Sequence, residues 1–84
     1  MVLHEGWVIL SFADKPALSG LLRYERVGDS HQWVLGVPAG QRHGPYVAII
    51  APKHIVSVTP CTEIEAIQHA QRAQPAPPPP SQAG

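Results

Sequence analysis

The residues best suited to bind an anion are a lysine and a histidine that stand side by side in YVAIIAPKHIVSVTP, residues 46–60. Lys53 carries an ammonium group with three N–H donors, and His54 carries an imidazole with two ring nitrogens that can take part in hydrogen bonds. The apolar and alternating segments on either side predict two strands joined by a tight turn, the closing hairpin of a small β-barrel. At such a turn both side chains can donate hydrogen bonds to phosphate or carboxylate oxygens. Lys53 is equally suited to a purely solvated position, and His54 to bonding with the turn backbone.

The charge distribution favours an anion-binding surface on the second half of the chain. The 84 residues hold six Lys and Arg against six Asp and Glu, so the net charge is zero and a strongly basic nucleic-acid-binding protein is excluded. No acidic residue stands between Asp29 and Glu63. The alternative is that this stretch, residues 30–62, forms a part of the fold that requires few charged residues. Its basic and titratable residues are His31, Arg42, His43, Lys53 and His54.

The sequence does not indicate catalysis. The five histidines lack a short metal-ligand spacing, and the acidic residues are scattered toward the ends of the chain. Cys61 has no histidine near it in sequence, and a single cysteine can form neither an intrachain disulfide nor a Cys-based zinc site. We therefore expect no enzyme, no metal and no cofactor. A site assembled at an oligomer axis is the catalytic alternative.

Short strand-forming segments separated by turns predict an all-β fold, a small five-stranded barrel. Gly20 lies inside the second segment, which predicts a bend, a bulge or a close backbone approach there. Tyr24, at the end of the same segment, is expected in the core, and residues 27–30 are expected to interrupt the chain before the third strand. The predicted strands are residues 6–12, 18–24, 32–37, 46–50 and 55–59.

A short helix is predicted after the last strand. Thr62 and Glu65 have the spacing of a capping box, and the helix is expected to reach Ala73 because Pro75 follows. An apolar stripe on this helix is expected to lie against the barrel. Its members are Ile64, Ile67 and Ala70.

The chain divides into a β-barrel at residues 1–61, the helix at residues 62–73 and a Pro-rich tail at residues 74–84. The tail is expected to be disordered, with a polyproline II run at residues 75–80 that serves as a spacer or as a ligand for an aromatic groove. About seventy residues remain to form the core, so we expect self-association to add burial.

The first residues, MVLHEGWVIL, have no basic region before the apolar run, and Glu5 interrupts that run. We expect neither a signal peptide nor a membrane span, and a cytoplasmic location.

The edges of the predicted sheet suggest how copies of the chain would associate. In an open five-stranded barrel the fourth and fifth strands keep free backbone edges, and residues 46–50 form an apolar edge that can pair with another chain. A head-to-tail contact of this kind, repeated by rotation, closes into a ring. The ring would repeat Lys53 and His54 and gather positive potential that the neutral monomer lacks.

Three segments, in their order and spacing, carry a resemblance to a known family. They are LSGLLRYE at residues 18–25, QWVL at residues 32–35 and KHIVSVTP at residues 53–60. Over residues 6–60 this arrangement resembles the Sm-like family, the LSm and Hfq group of RNA-binding ring proteins.

The resemblance implies a homo-oligomeric ring of five to seven subunits that binds U-rich or A-rich single-stranded RNA. Lys53 and His54 would face the central pore. Trp33 would stack a base, and Gln32 would bond to a base edge. The remaining expected RNA contacts, at the rim, are Arg42 and His43.

Several features depart from the family pattern. Residues 26–31 read as an insertion between the second and third strands, the helix is C-terminal rather than N-terminal, and Pro52 stands where a tyrosine is common. The alternative is an SH3-like protein-interaction or assembly module without RNA binding. Such a module would use the Pro-rich tail or the aromatic residues Trp7 and Tyr46.

Overall fold

The computed structural model describes residues 2–40 and 44–73. The predictions for Arg42, His43 and the tail at residues 74–84 lie outside the described residues. The elements in chain order are β1 (Gly6–Phe12), β2 (Leu18–Val27), β3 (Ser30–Val37), β4 (Tyr46–Ile50), a 3-10 turn (Pro52–His54), β5 (Ile55–Pro60) and α1 (Glu63–Ala73).

The five strands form one sheet in the order β4-β3-β2-β1-β5, and every neighbouring pair is antiparallel. The ten-residue β2 pairs with β1 through its first half and with β3 through its second half. The prediction of a mainly antiparallel β fold with one short C-terminal helix is confirmed. Among the described residues no ladder joins β4 to β5, so these strands are the two edges of a sheet that is not closed into a barrel. The predicted hairpin between these two strands is therefore wrong: the turn at Pro52–His54 carries the chain to the far edge of the sheet, where β5 pairs with β1.

The core lies on one face of the sheet. Leu10, Leu22 and Leu35 come from the three central strands and are completely buried. Ile50 and Ile55, at the end of β4 and the start of β5, join the same cluster. Burial of each such side chain stabilises the fold by about 1.5–3 kcal/mol. The two edge strands are therefore held together at one end by the core, although no ladder links them.

Gly20 allows a close approach of two strands. A Cβ atom built on Gly20 would lie 2.2 Å from the carbonyl oxygen of Gly36 and 2.9 Å from its carbonyl carbon. Both obstacles are backbone atoms of β3, which cannot rotate away. The predicted close backbone approach is confirmed.

The β2–β3 connection corrects the expectation of an interruption at residues 27–30. Val27 pairs with Ser30, so the strands continue to a two-residue turn at Gly28 and Asp29. Gly28 has φ +65°, which a residue without a Cβ adopts readily and which short hairpin turns require. Residues 26–31 extend the two strands and do not form an inserted loop.

The predicted capping box at the start of α1 is confirmed. The Glu65 amide donates to Thr62 Oγ1 at 3.1 Å, and the Thr62 amide donates to Glu65 Oε1 at 2.8 Å. Two backbone donors at the helix start are thereby satisfied. Within the described part of the chain, no helix has the length and apolar character needed to span a bilayer.

The buried face of α1 differs from the predicted stripe. Ile64 is 67% exposed, whereas Ala66 and Ala70 are buried and Ile67 is half-buried. Small side chains let the helix backbone come close to β2, so that buried Ser19 donates a hydrogen bond from Oγ to the Ala66 carbonyl at 2.8 Å. Among the predicted stripe residues, Ala70 lies at the contact and Ile64 faces solvent.

Candidate nucleic-acid interface

Lys53 and His54 occupy a well-defined 3-10 turn between the two edge strands. Pro52 stands in its first turn, where its fixed φ suits a helical start. The His54 amide donates to the Ala51 carbonyl at 2.9 Å, and the Ile55 amide donates to the Pro52 carbonyl. Both basic residues are exposed. The backbone bond at His54 uses its main-chain amide, so the turn presents both side chains to solvent.

The strand register brings Trp33 to the end of β4, where this turn begins. Trp33 pairs with Ile50, and its half-buried indole packs against the core cluster. Its ring centroid lies 5.0 Å from that of Tyr24, with a tilt of 49°. Trp33 thus contributes to the core and also has exposed surface, so the core alternative and the base-stacking hypothesis both describe part of its position.

Tyr24 lies on the surface and not in the core, which corrects the expectation from the sequence. It is 50% exposed, and its ring stacks on that of exposed His31 with centroids 5.4 Å apart and an interplanar angle of 21°. The two residues meet because the two-residue turn at Gly28 carries both strands beyond the core. The sequence did not indicate Tyr24 as a site residue, and it indicated His31 only as one of the residues in the stretch without acids. Interpretation of Gly28-Asp29 as a two-residue hairpin turn would have paired the ends of β2 and β3 and predicted that Tyr24 and His31 lie near each other.

Acidic groups also reach this end of the sheet. Half-buried Gln32 pairs with Glu25, whose Oε2 lies 2.7 Å from Arg23 Nε. Glu5 Oε2 accepts a hydrogen bond from the Tyr24 amide at 2.9 Å. The stretch between Asp29 and Glu63 is therefore free of acidic residues in sequence, but neighbouring strands bring carboxylates next to it.

Within residues 2–40 and 44–73 no group of three His, Cys, Asp or Glu side chains is placed to hold a metal ion. Burial, with a smaller effect from the Glu65 charge, raises the pKa of the Cys61 thiol, which keeps it protonated and weakly nucleophilic.

The face of the sheet opposite the core cluster carries an apolar groove of about 380 Å³ beside α1. Its floor is a cross-strand row in which Trp7 pairs with Leu21, Leu21 with Gly36, and Gly36 with Val47. Ile67 of the helix lines one side. The sequence indicated Trp7 as a possible contact residue but not the row to which it belongs.

Comparisons with protein-family models, curated proteins and solved structures return no significant match.

Proposed function

We propose that the chain assembles head to tail into a ring of five to seven subunits and that the ring binds single-stranded RNA. The observation that carries the proposal is that β4 and β5, the two edges of the single sheet, have no further strand partner within residues 2–40 and 44–73 and are joined by an exposed Lys-His turn. The resemblance to Sm-like proteins supports the same arrangement.

The edge strands have the surface that such a contact needs. On β4, Val47 and Ile49 are 69% and 56% exposed, and on β5 Val56 is 61% exposed. Exposed apolar side chains beside unpaired backbone groups favour pairing with another strand. The β4 edge of one copy would pair with the β5 edge of the next, and rotation of this contact would close the ring.

The position of the turn links assembly to RNA binding. Lys53 and His54 lie between the two edges, so each copy in a ring would hold its basic pair between its two intersubunit contacts. Repetition of the pair would provide a positive potential for phosphates, and the aromatic residues Trp33 and Tyr24 at the adjoining end of β3 and β2 would provide surfaces for bases. Gln32 would contact a base edge.

Native mass spectrometry and fluorescence anisotropy with labelled oligo-U and oligo-A test the proposal. We expect one closed oligomer and RNA affinity that falls as salt is added. Lys53→Ala should weaken binding and reduce the slope of log affinity against log salt by about 0.7 for each phosphate that the variant no longer neutralises, with the oligomer unchanged.

Arg72→Ala is the matched control, because it also removes one positive charge but at an exposed position in the last turn of α1, which packs against β2 and β1. Its RNA affinity should equal that of the wild type. A monomer at high concentration, or equal RNA affinity in the Lys53 and Arg72 variants, contradicts the proposal.

The groove beside α1 favours the second candidate, an SH3-like protein-interaction module. Apolar grooves with aromatic side chains bind extended proline-rich segments. A stable monomer that ignores both oligonucleotides and binds a proline-rich peptide would support this function over RNA binding.

A further inference from the structure

The apolar groove beside α1 has the shape of a binding site for an extended peptide. Its floor crosses four strands in one row, from Trp7 on β1 through Leu21 and Gly36 to Val47 on β4. Gly36 forms the low point of the row, since a Cβ built there meets only the Leu21 carbonyl oxygen, at 3.8 Å. Its volume of about 380 Å³ lies within the usual range for ligand sites, roughly 300–1,000 Å³.

We propose that this groove binds the proline-rich segment of the same chain, residues 75–80. The proposal is independent of RNA binding and assigns the groove an intramolecular ligand.

The chemistry of the segment matches the groove. A proline run has backbone carbonyl acceptors and no N–H donors, so it needs donors from its binding site. Trp7 and Tyr46 both line the groove, and their side chains carry an indole N–H and a phenol O–H that can act as such donors. Residues 74–84 contain no charged side chain, so the segment brings no side-chain charge into the groove, whose lining includes one charged residue, Glu63.

The connection through α1 allows the segment to reach the groove. Ile67 lines the groove and Ala73 ends the helix, which separates the end of α1 from the groove by about 9 Å at 1.5 Å per residue. Residues 74–80 in a polyproline II conformation span about 20 Å at 3.1 Å per residue. The segment can therefore double back along the helix, and its tether would keep it near the groove at about millimolar effective concentration.

The test compares the full-length chain with a variant that carries Pro77→Ser, Pro78→Ser, Pro79→Ser and Pro80→Ser. The readout is the indole N–H signal of Trp7 in a two-dimensional ¹H–¹⁵N NMR spectrum. Trp33 packs against the core cluster on the opposite face and is the internal control. We expect the Trp7 signal to differ between the two proteins and the Trp33 signal to coincide.

A synthetic peptide with the sequence AQPAPPPPSQAG should then bind the serine variant and restore the wild-type position of the Trp7 signal. The wild type should bind it about tenfold more weakly, because its own segment competes. Coincident Trp7 signals in the two proteins, or no saturable shift of the serine variant with peptide, would overturn the proposal. A Trp7 signal that changes on dilution in the wild type but not in the serine variant would also overturn it, because docking would then occur between copies.

Two further variants show whether the peptide occupies this groove. Val47→Lys in the serine variant should abolish peptide binding, whereas Ile64→Lys, at an equally exposed site on α1, should leave it unchanged. Gly36→Val should also block binding, because it fills the low point of the floor. Equal peptide affinity in the Val47 and Ile64 variants would contradict the assignment of the site.

Discussion

Replacement of Gly20 by alanine tests the closest contact in the fold. The new Cβ would lie 2.2 Å from the Gly36 carbonyl oxygen, 2.9 Å from the Gly36 carbonyl carbon and 3.2 Å from the Val37 Cα. Real Cβ atoms essentially never approach another atom within 3.0 Å. Since these obstacles are backbone, β2 and β3 must move apart along a ladder that stabilises the sheet.

Overpacking of this kind typically costs about 1–3 kcal/mol. A clash with backbone places Gly20→Ala at the upper end, about 3 kcal/mol, which corresponds to a decrease in Tm of about 12–24 °C for a domain of this size. Thermal unfolding followed by circular dichroism measures the change.

Gly36→Ala is the matched control on the facing strand. A Cβ there meets only one atom, at 3.8 Å, so we expect a change within about 1 kcal/mol of the wild type. If Gly20→Ala unfolds within about 3 °C of the wild type, the two backbones do not approach closely in solution and the reasoning is wrong.

The remaining predictions concern the attachment of α1. Ser19→Ala removes the hydroxyl that donates to the Ala66 carbonyl and lies 3.0 Å from His69 Nδ1. We expect this change to lower the free energy of unfolding, measured by urea titration, by about 1–2 kcal/mol. The control Ser57→Ala, at an exposed position, should leave the free energy of unfolding unchanged. Thr62→Ala removes the cap of α1 and should cost about 1 kcal/mol; equal midpoints for it and the wild type would show that the cap contributes nothing. Burial, and to a lesser degree the Arg72 charge, lowers the pKa of His69 below 6.5. Because the unfolded chain then binds the proton more readily, the free energy of unfolding should fall as the pH decreases below 6.5, and His69→Gln should remove that part of the pH dependence.

Local sequence signals were sufficient for the elements. The bounds predicted for β1 and β4 agree with the structure. Both segments are rich in strand-forming residues and are limited by prolines: Pro16 lies in the turn after β1, Pro45 precedes β4 and Pro52 follows it. The capping box was also predicted, because it depends on residues three positions apart. The Lys-His turn was predicted from the two flanking strands, and the structure confirms that both residues are exposed.

The composition of the candidate site needed contacts between distant residues. Tyr24 was expected in the core because an aromatic residue ends an apolar segment, but the hairpin extends past the core and places it against His31. Glu5 and Glu25 lie next to a stretch that has no acid in its own sequence, because strand pairing and not chain order decides which charges are neighbours.

The sequence alone determined the mainly β class, the order of the elements, the helix cap and the position of the basic turn, since each of these depends on residues close along the chain. Tertiary structure decided which face of α1 is buried, which strands are the edges and how Trp7, Leu21, Gly36 and Val47 form one row. Those features depend on register between strands and on backbone distances such as that between Gly20 and Gly36, which no local pattern specifies.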